Sequence, residues 1–156
     1  MTKLISLRTA LAAGAAVAVL SGAARAQSAA DSAGIRAAAM DYIEGWYAGD
    51  AARMEKALHP ELAKRVVTTD SRSGRSQLES IGAMTLVDRT RAGGGSRTPK
   101  ERQQKDYTLL DVFNNAAVAK VVASDWIDYL ELAKWNGRWV IVNVLWEYKQ
   151  PMSMSR

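Results

Sequence analysis

The 156-residue chain has no cysteine, one histidine and only three prolines. Without cysteine it can form no disulfide and can perform no thiolate catalysis. Structural and catalytic zinc sites need several Cys or His ligands, so His59 alone argues against one. The glycine patterns of P-loop and dinucleotide-binding proteins are also absent. We therefore expect no bound metal and no cofactor.

The first residues have the three-part layout of an export signal. Lys3 and Arg8 begin it, residues 10–20 are apolar, and Ala24-Arg25-Ala26 forms a small-x-small cleavage site. The apolar run is about half of the roughly 20 residues that a membrane-spanning helix needs. We expect general secretion, cleavage after Ala26, a periplasmic or secreted protein, and no stable membrane anchor after cleavage.

The charge balance changes when this leader is removed. The whole chain has 21 basic and 16 acidic residues, a net charge of +5. The leader contains Lys3, Arg8 and Arg25 but no acid, which leaves 18 basic and 16 acidic residues. A nucleic-acid-binding domain is usually strongly basic with clustered charge, so we expect no nucleic-acid partner.

After a flexible lead-in at residues 27–34, one domain is expected over residues 35–149, followed by a tail at 150–156. Asp31 or Ser32 can cap a first helix that runs to Ala48, with Gly49 as its C-terminal stop. Asp50 can cap a second helix over residues 51–58. The first helix has one apolar face at helical spacing, formed by Ile35, Ala39, Tyr42, Ile43, Trp46 and Tyr47.

The central part of the chain carries weaker signals. Pro60 suits the first turn of a third helix that ends near Val66. Residues 76–87 have weak helical spacing and are predicted to form a short helix. Residues 89–105 combine three consecutive glycines with six basic residues. Basic groups and free backbone amides attract anions, but no helix signature follows the glycines, so the preferred interpretation is a solvated, mobile loop.

The C-terminal half is rich in strand signals. Residues 106–113 and 116–124 flank Asn114-Asn115, and a second pair of strands flanks Asn136-Gly137, a strong hairpin signal. Four of the five tryptophans lie in the second hairpin, between Trp126 and Trp146. Helices followed by antiparallel strands predict an α+β fold with helices on one face of a curved sheet.

A two-residue turn would pair Trp135 with Arg138 and Ala133 with Val140, which sorts the hairpin into two largely apolar faces. The face with Asp128 and Asn143 is assigned to the helix-covered interior, and the reverse assignment stays open. The other face is expected to form a homodimer interface made of Ile127, Tyr129, Val140, Val142, Val144 and Trp146.

Two stretches resemble a known superfamily. The residues Tyr42-Ile43-x-Gly45-Trp46-Tyr47-x-Gly49-Asp50 are similar to the start of many nuclear-transport-factor-2-like domains. The stretch from Trp126 to Trp146 resembles the putative lumazine-binding branch. This resemblance implies a cone-shaped α+β fold, a cavity between helices and a bent sheet, frequent homodimers and a pteridine-like ligand. Relatives include ketosteroid isomerase and scytalone dehydratase, so the fold alone does not give the function.

Asp128 is the sharpest catalytic candidate, because an apolar cavity raises the pKa of a carboxyl group toward that of a useful base or acid. Asn143 could hold this group or a substrate carbonyl, and His59 could act as a base beside it. The alternative is structural: Asp128 ties Asn143 or a backbone amide, and His59 caps the helix that begins at Pro60.

The aromatic residues are candidates for a ligand pocket. Tyr42 and Trp46 can belong to the core, or a flat heterocycle can stack on Trp46, Trp126 or Trp139. The first hypothesis is an exported domain without established catalysis that binds a small apolar or heteroaromatic ligand. The second is a cofactor-free lyase or isomerase that uses Asp128 and His59 on a hydrophobic substrate. A third is a structural dimer with a filled cone.

Overall fold

A computed structural model describes the backbone of residues 9–149 and the side chains of residues 28–149. The chain forms two compact units, Met1–Ala33 and Gly34–Arg156, and the second carries the sheet. The predicted export signal at residues 1–26 and the tail at 150–156 lie outside the residues whose side chains are described, so export and cleavage stay predictions. Among the described residues, no helix is long and apolar enough to cross a bilayer.

The first helix ends, and the second begins, where the sequence predicts. Helix α1 (Thr9–Ala48) stops before Gly49, whose φ of 68° is the left-handed conformation of a helix C-terminus. Helix α2 (Ala51–Ala57) is capped by Asp50, whose Oδ1 accepts from the Arg53 amide at 3.0 Å. The start of α1 differs from the prediction: residues 27–34 are helical, because an alanine-rich stretch favours helix and contains no stop signal.

The remaining elements form one sheet with a helix and a short 3-10 turn between its strands. In chain order they are β1 (Leu58–Thr69), β2 (Ser76–Gly82), α3 (Ala83–Arg91), the 3-10 helix Lys100–Arg102, β3 (Lys105–Phe113), β4 (Ala116–Ala123), β5 (Trp126–Trp135) and β6 (Arg138–Tyr148). The strand order is β2-β1-β6-β5-β4-β3, and only β1 and β6 run parallel. The predicted α+β class and both predicted C-terminal hairpins are confirmed.

The predicted third helix is wrong, since Pro60 and Val66 both lie in β1. Along this strand Leu62, Lys64 and Val66 are buried, while the alternate residue Val67 is 47% exposed. That period of two is the signature of a strand with one covered face. Leu62 and Val66 are four residues apart, a spacing that also suits one face of a helix. In a strand the same face includes Lys64, which lies between them.

The helix predicted over residues 76–87 is wrong in its first half. Ser76 to Gly82 form edge strand β2, paired antiparallel with β1, and the helix begins only at Ala83. Leu78 is 61% exposed in this edge strand. Leu86 and Val87, further along, are buried on α3. Pairing with β1 therefore outweighs the weak helical spacing of these residues.

The second hairpin turns as predicted but changes register part-way. Asn136 and Gly137 have φ values of 49° and 75°, as a tight two-residue turn requires. Trp135 pairs with Arg138 and Leu132 with Ile141, but Glu131 pairs with Asn143. One extra residue on β6, at Val142, therefore forms a β-bulge. A bulge moves every later side chain of its strand to the other face of the sheet.

The predicted assignment of β6 side chains to the two faces therefore holds before the bulge and is reversed after it. On β5 the interior face is as predicted, since Asp128, Leu130 and Leu132 are buried. On β6 Trp139 and Ile141 are buried as predicted, but past the bulge Val144 faces inward and Asn143 and Leu145 face outward. The predicted inward position of Asn143 is therefore wrong.

The predicted dimer interface also needs correction, because Val140 is buried and the bulge turns Val144 and Trp146 inward. Val140 and Val144 are 1% exposed and Trp146 turns toward the interior, so these three cannot meet a second subunit. Ile127, Tyr129 and Val142 remain on the outer face, where Leu145 joins them. Tyr129 is 46% exposed and Leu145 is 55% exposed.

The glycine-rich loop after α3 is packed against α1 rather than fully solvated. The Gly95 amide donates to the Trp46 carbonyl at 2.9 Å. A Cβ on Gly95 would lie 2.6 Å from Trp46 Nε1, and a Cβ on Gly94 would lie 2.6 Å from the Trp46 carbonyl oxygen. These glycines are needed because their backbone approaches the indole ring too closely for any side chain.

Substitution of Gly95 by alanine should therefore lower stability by about 1–3 kcal/mol, because the new methyl group must displace the Trp46 ring. Gly82→Ala is the matched control, since its nearest neighbour would be the Leu62 carbonyl at 3.8 Å. Urea unfolding followed by circular dichroism measures both changes. Equal stability of the two variants would contradict close packing of the loop on Trp46.

Candidate functional site

Asp128 lies at the centre of a buried polar cluster. Its side chain is fully buried on β5. Its Oδ2 accepts from Trp126 Nε1 at 2.6 Å and from the Tyr42 hydroxyl at 3.1 Å, while Oδ1 forms an ion pair with Lys64 Nζ. Three donors thus occupy the two carboxylate oxygens, as a buried carboxylate requires.

Lys64 is the functional residue that sequence reasoning missed. It sits on β1 with its side chain 9% exposed, and its ammonium also donates to the Tyr42 hydroxyl at 2.7 Å. Its Nζ lies 4.8 Å from the centre of the Trp146 ring, close enough for a cation–π contact. The available signal was the alternation of Leu62, Lys64 and Val66 in a strand, which the helical interpretation concealed.

Burial dominates the electrostatics of this cluster. Desolvation lowers the pKa of Lys64, and the charge and hydrogen bond of Asp128 oppose part of that shift. Desolvation also raises the pKa of Tyr42 well above its usual value, and the adjacent Asp128 carboxylate adds to this effect. Tyr42 therefore stays protonated, accepting from Lys64 and donating to Asp128.

The cluster forms part of the wall of a cavity of about 350 Å³. Tyr42 and Lys64 reach this cavity, whereas Asp128 lies behind them. Aromatic and aliphatic side chains supply most of the wall, and Glu79, Arg89 and Asp125 are its exposed charged residues. The lining aromatic and aliphatic residues are Tyr42, Trp46, Val66, Ile81, Leu86, Trp126, Trp146 and Tyr148.

The aromatic lining is ordered by strand pairing and edge contacts. Trp126 pairs with Tyr148 and Asp128 with Trp146 across the hairpin, so the inward side chains of β5 and β6 stand beside each other. Trp46 from α1 meets Trp126 edge to face at 6.3 Å between ring centres. Trp146 and Tyr148 form a second edge-to-face pair at 4.6 Å.

Three of the five predicted pocket residues meet in this cavity: Tyr42, Trp46 and Trp126. Trp139 is 5% exposed and packs in the core over Gly34, where an added Cβ would lie 2.8 Å from its Cδ1. Asn143 is on the outer face, where its amide donates to Glu131 at 2.9 Å. The predictions that Trp139 and Asn143 line the pocket are therefore wrong.

His59 lies away from Asp128. Its ring meets Trp135 edge to face at 4.9 Å, at the turn end of the hairpin, and its Nδ1 accepts from the Glu61 amide. Trp135 and Asp128 are seven residues apart on one strand, which corresponds to roughly 23 Å at the usual rise. The predicted pairing of His59 with Asp128 is therefore wrong. Its predicted role as a helix cap is also wrong, since His59 and Pro60 both lie within strand β1.

Within the described part of the chain, no three His, Asp or Glu side chains are grouped so that they could hold a metal ion. The lysine and aromatic groups of the cavity are not typical metal ligands. The polar cluster therefore offers charge-assisted hydrogen bonds rather than metal coordination.

Residues 30–147 match the model of a protein family described as putative lumazine-binding. The match covers most of the chain and every strand apart from Tyr148, which is the last residue of β6 and one of the cavity-lining residues. The chain belongs to the putative lumazine-binding family. No match is found among proteins with curated descriptions.

Solved structures show the same fold for this family member. A nuclear-transport-factor-2-like protein of unknown function from Silicibacter pomeroyi DSS-3 has a TM-score of 0.61 and 14% identity, covering 78% of this chain and 98% of that one. One from Methylobacillus flagellatus KT has a TM-score of 0.60 and 22% identity, covering 77% and 93%. One with a cystatin-like fold, from Novosphingobium aromaticivorans, has a TM-score of 0.60 and 14% identity, covering 84% and 90%. These identities show the fold alone.

Replacing Lys64 by methionine should cost about 3–5 kcal/mol of stability, because Asp128 then stays buried without a counter-charge. The double variant Lys64→Met/Asp128→Asn should cost less than the sum of the single changes, since no unpaired charge remains. Urea denaturation of the single and double variants measures this coupling.

Arg91→Met serves as the control, since Arg91 pairs with Asp88 on the surface with both side chains more than half exposed. Its loss should cost less than about 1 kcal/mol. Additive effects of the Lys64 and Asp128 changes would mean that the two groups do not interact as the structure indicates.

Proposed function

We propose that this protein binds a small, flat, largely apolar ring compound in the cavity beside Lys64. The observation that carries the proposal is the composition of the wall: five aromatic rings on α1, β5 and β6 line a space whose wall also contains the paired ammonium group of Lys64. Ligand pockets of this size combine apolar walls with a few placed polar groups.

The ligand should carry a hydrogen-bond acceptor at one end. An ammonium group has three donors, and Lys64 spends two of them on Asp128 and the Tyr42 hydroxyl. The third can meet a carbonyl or ring nitrogen of a ligand that stacks on the tryptophans. The family description names lumazine, a flat heterocycle with carbonyl groups, which has this chemistry.

The contacts of Asp128 favour a ligand-binding function over one in which Asp128 is a catalytic base. A general base must reach the substrate proton within hydrogen-bond distance, but both oxygens of Asp128 are occupied and the residue lies behind the cavity wall. His59, the second residue of the lyase or isomerase hypothesis, contacts Trp135 instead. The predicted export signal in residues 1–26 is the basis for proposing that binding occurs in the periplasm or outside the cell.

Calorimetric titration with lumazine tests the function. We expect submillimolar binding, and Trp146→Leu should weaken it about tenfold, because the loss of a stacking ring costs about 1–1.5 kcal/mol. Trp135→Leu is the matched control, since Trp135 is 53% exposed at the hairpin turn. Binding equally weakened in both variants would place the ligand elsewhere. No heat and no tryptophan quenching with lumazine, flavins or simple fused aromatic compounds would refute ligand binding.

We further propose that two copies associate through the outer face of the sheet. Val67, Leu78 and Leu145 are 47%, 61% and 55% exposed there, and Tyr129 pairs with Leu145 across the hairpin. Val67 pairs with Leu78, and Arg65 of the same strand pairs with Leu145, so these apolar residues share one face. Large exposed apolar surfaces usually mark contacts between proteins.

Leu145→Glu should convert a dimer into a monomer, because it places two negative charges in the contact, one from each copy. Met84→Glu is the control, since Met84 is 60% exposed on α3 and not on the sheet. Light scattering at several protein concentrations gives the molar mass. A wild-type monomer at all concentrations, or a Leu145→Glu dimer, would contradict this contact.

A further inference from the structure

Lys64 differs from the other lysines of the described residues. Lys56, Lys100 and Lys149 are exposed, and Lys105, Lys120 and Lys134 are partly exposed, but Lys64 is buried. It is buried at the wall of a cavity rather than in the packed core, so a bound molecule can reach its Nζ. A lysine held without water in an apolar pocket is a good nucleophile toward carbonyl groups.

The contribution of the Lys64–Asp128 ion pair to folding stability does not explain its presence at the cavity wall. Apolar residues of similar volume often replace a buried ion pair at no cost, because the desolvation penalty offsets the attraction. Methionine at position 64 and leucine at position 128 would continue the apolar wall formed by Val66, Ile81 and Leu86. The pair therefore indicates chemistry that needs an amine and a carboxylate together.

We propose that Lys64 forms a protonated imine with an aromatic or conjugated aldehyde or ketone in the cavity, an inference that rests on the proposed function. The Lys64 ammonium first gives a proton to the Asp128 carboxylate, and the neutral amine adds to the carbonyl carbon. One proton moves from the nitrogen to the former carbonyl oxygen to give the carbinolamine. The hydroxyl group then takes back the proton held by Asp128 and leaves as water, which yields the iminium ion beside the Asp128 carboxylate. The ammonium and the carbonyl compound thus yield the iminium ion and one water molecule, with no net change in charge.

The neighbouring groups suit each of these steps. Asp128 Oδ1 contacts Lys64 Nζ and can receive the proton, then serve as the counter-ion of the iminium. The Tyr42 hydroxyl, 2.7 Å from Nζ, can donate to the carbinolamine oxygen. The Trp146 ring, 4.8 Å from Nζ, stabilises a delocalised cation by the same contact that it makes with the ammonium. Burial also lowers the pKa of Lys64, which eases the loss of its proton.

Reductive trapping tests this inference. The protein is incubated with 2-naphthaldehyde and cyanoborohydride, and its peptides are analysed by mass spectrometry. We expect Lys64 to gain the mass of the aldehyde minus one oxygen atom and to be labelled more strongly than the exposed Lys100. Lys64→Arg keeps the charge but should lose this label, and Lys100→Arg should keep it. Labelling confined to exposed lysines would overturn the imine.

The alcohol 2-naphthalenemethanol separates the two proposals, because it has the same ring and cannot form an imine. If the alcohol and the aldehyde both bind by calorimetry but Lys64 is not trapped, the imine is wrong and ligand binding stands. If neither binds, both proposals are wrong. If Lys64 alone is trapped and the alcohol also binds, both are supported.

Absorption of 4-(dimethylamino)cinnamaldehyde gives a second readout without reduction. A protonated imine of this aldehyde absorbs at longer wavelength than the free aldehyde, so wild-type protein should shift its band to the red at neutral pH. Asp128→Asn removes the counter-ion, lowers the pKa of the imine and should reverse the shift at the same pH. A red shift that persists in Lys64→Arg would overturn the assignment to Lys64.

Discussion

The ion pair between Lys64 and Asp128 joins parts of the chain that are distant in sequence, and the arrangement of the cavity depends on it. Lys64 comes from β1 and Asp128 from β5, while Tyr42 of α1 bridges the two and Trp126 satisfies the second carboxylate oxygen. Two charges taken out of water are stable only when their geometry and remaining hydrogen bonds are nearly complete. The helix, the parallel strand and the hairpin must therefore keep their relative positions, and the aromatic wall is held in place with them.

The β-bulge at Val142 decides which side chains reach that wall. Without it, Trp146 and Tyr148 would point outward, and Asn143 and Leu145 would point into the cavity. With it, Trp146 stands beside Asp128 and over the Lys64 ammonium, and Asn143 joins Glu131 and Arg65 on the outer face. One extra residue thus supplies two aromatic rings to the interior and removes an amide from it. Bulges recur next to functional sites because they re-aim side chains in this way.

Local chemistry explains which elements could be predicted. The Gly49 stop, the Asp50 cap and the Asn136-Gly137 turn rest on interactions within a few residues, and each is found where it was predicted. The C-terminal strands were recognisable from β-branched and aromatic runs. The elements that were mispredicted, β1 and the edge strand β2, contain short apolar patterns that suit a helix as well as a strand. Their conformation is decided by hydrogen bonding to β6 and to each other, which no local pattern contains.

The amino-acid sequence by itself determined the α+β class, the family, the hairpin and the candidacy of Tyr42, Trp46, Trp126 and Asp128. The fold class, the hairpin and the candidate residues follow from periodicity, turn residues and composition, which are properties of contiguous stretches. The family follows from the resemblance of two such stretches to known domains. Only the tertiary structure decided that Lys64 is the partner of Asp128, that Trp146 lines the cavity, and that His59, Trp139 and Asn143 do not share it. The physical reason is that sequence patterns repeat with the geometry of one isolated element, whereas a bulge or a parallel pairing changes which side chains meet. The role of Lys64 becomes clear only from the pairing of β1 with β6. That pairing buries the Lys64 side chain next to the carboxylate of Asp128, which is 64 residues away in the chain.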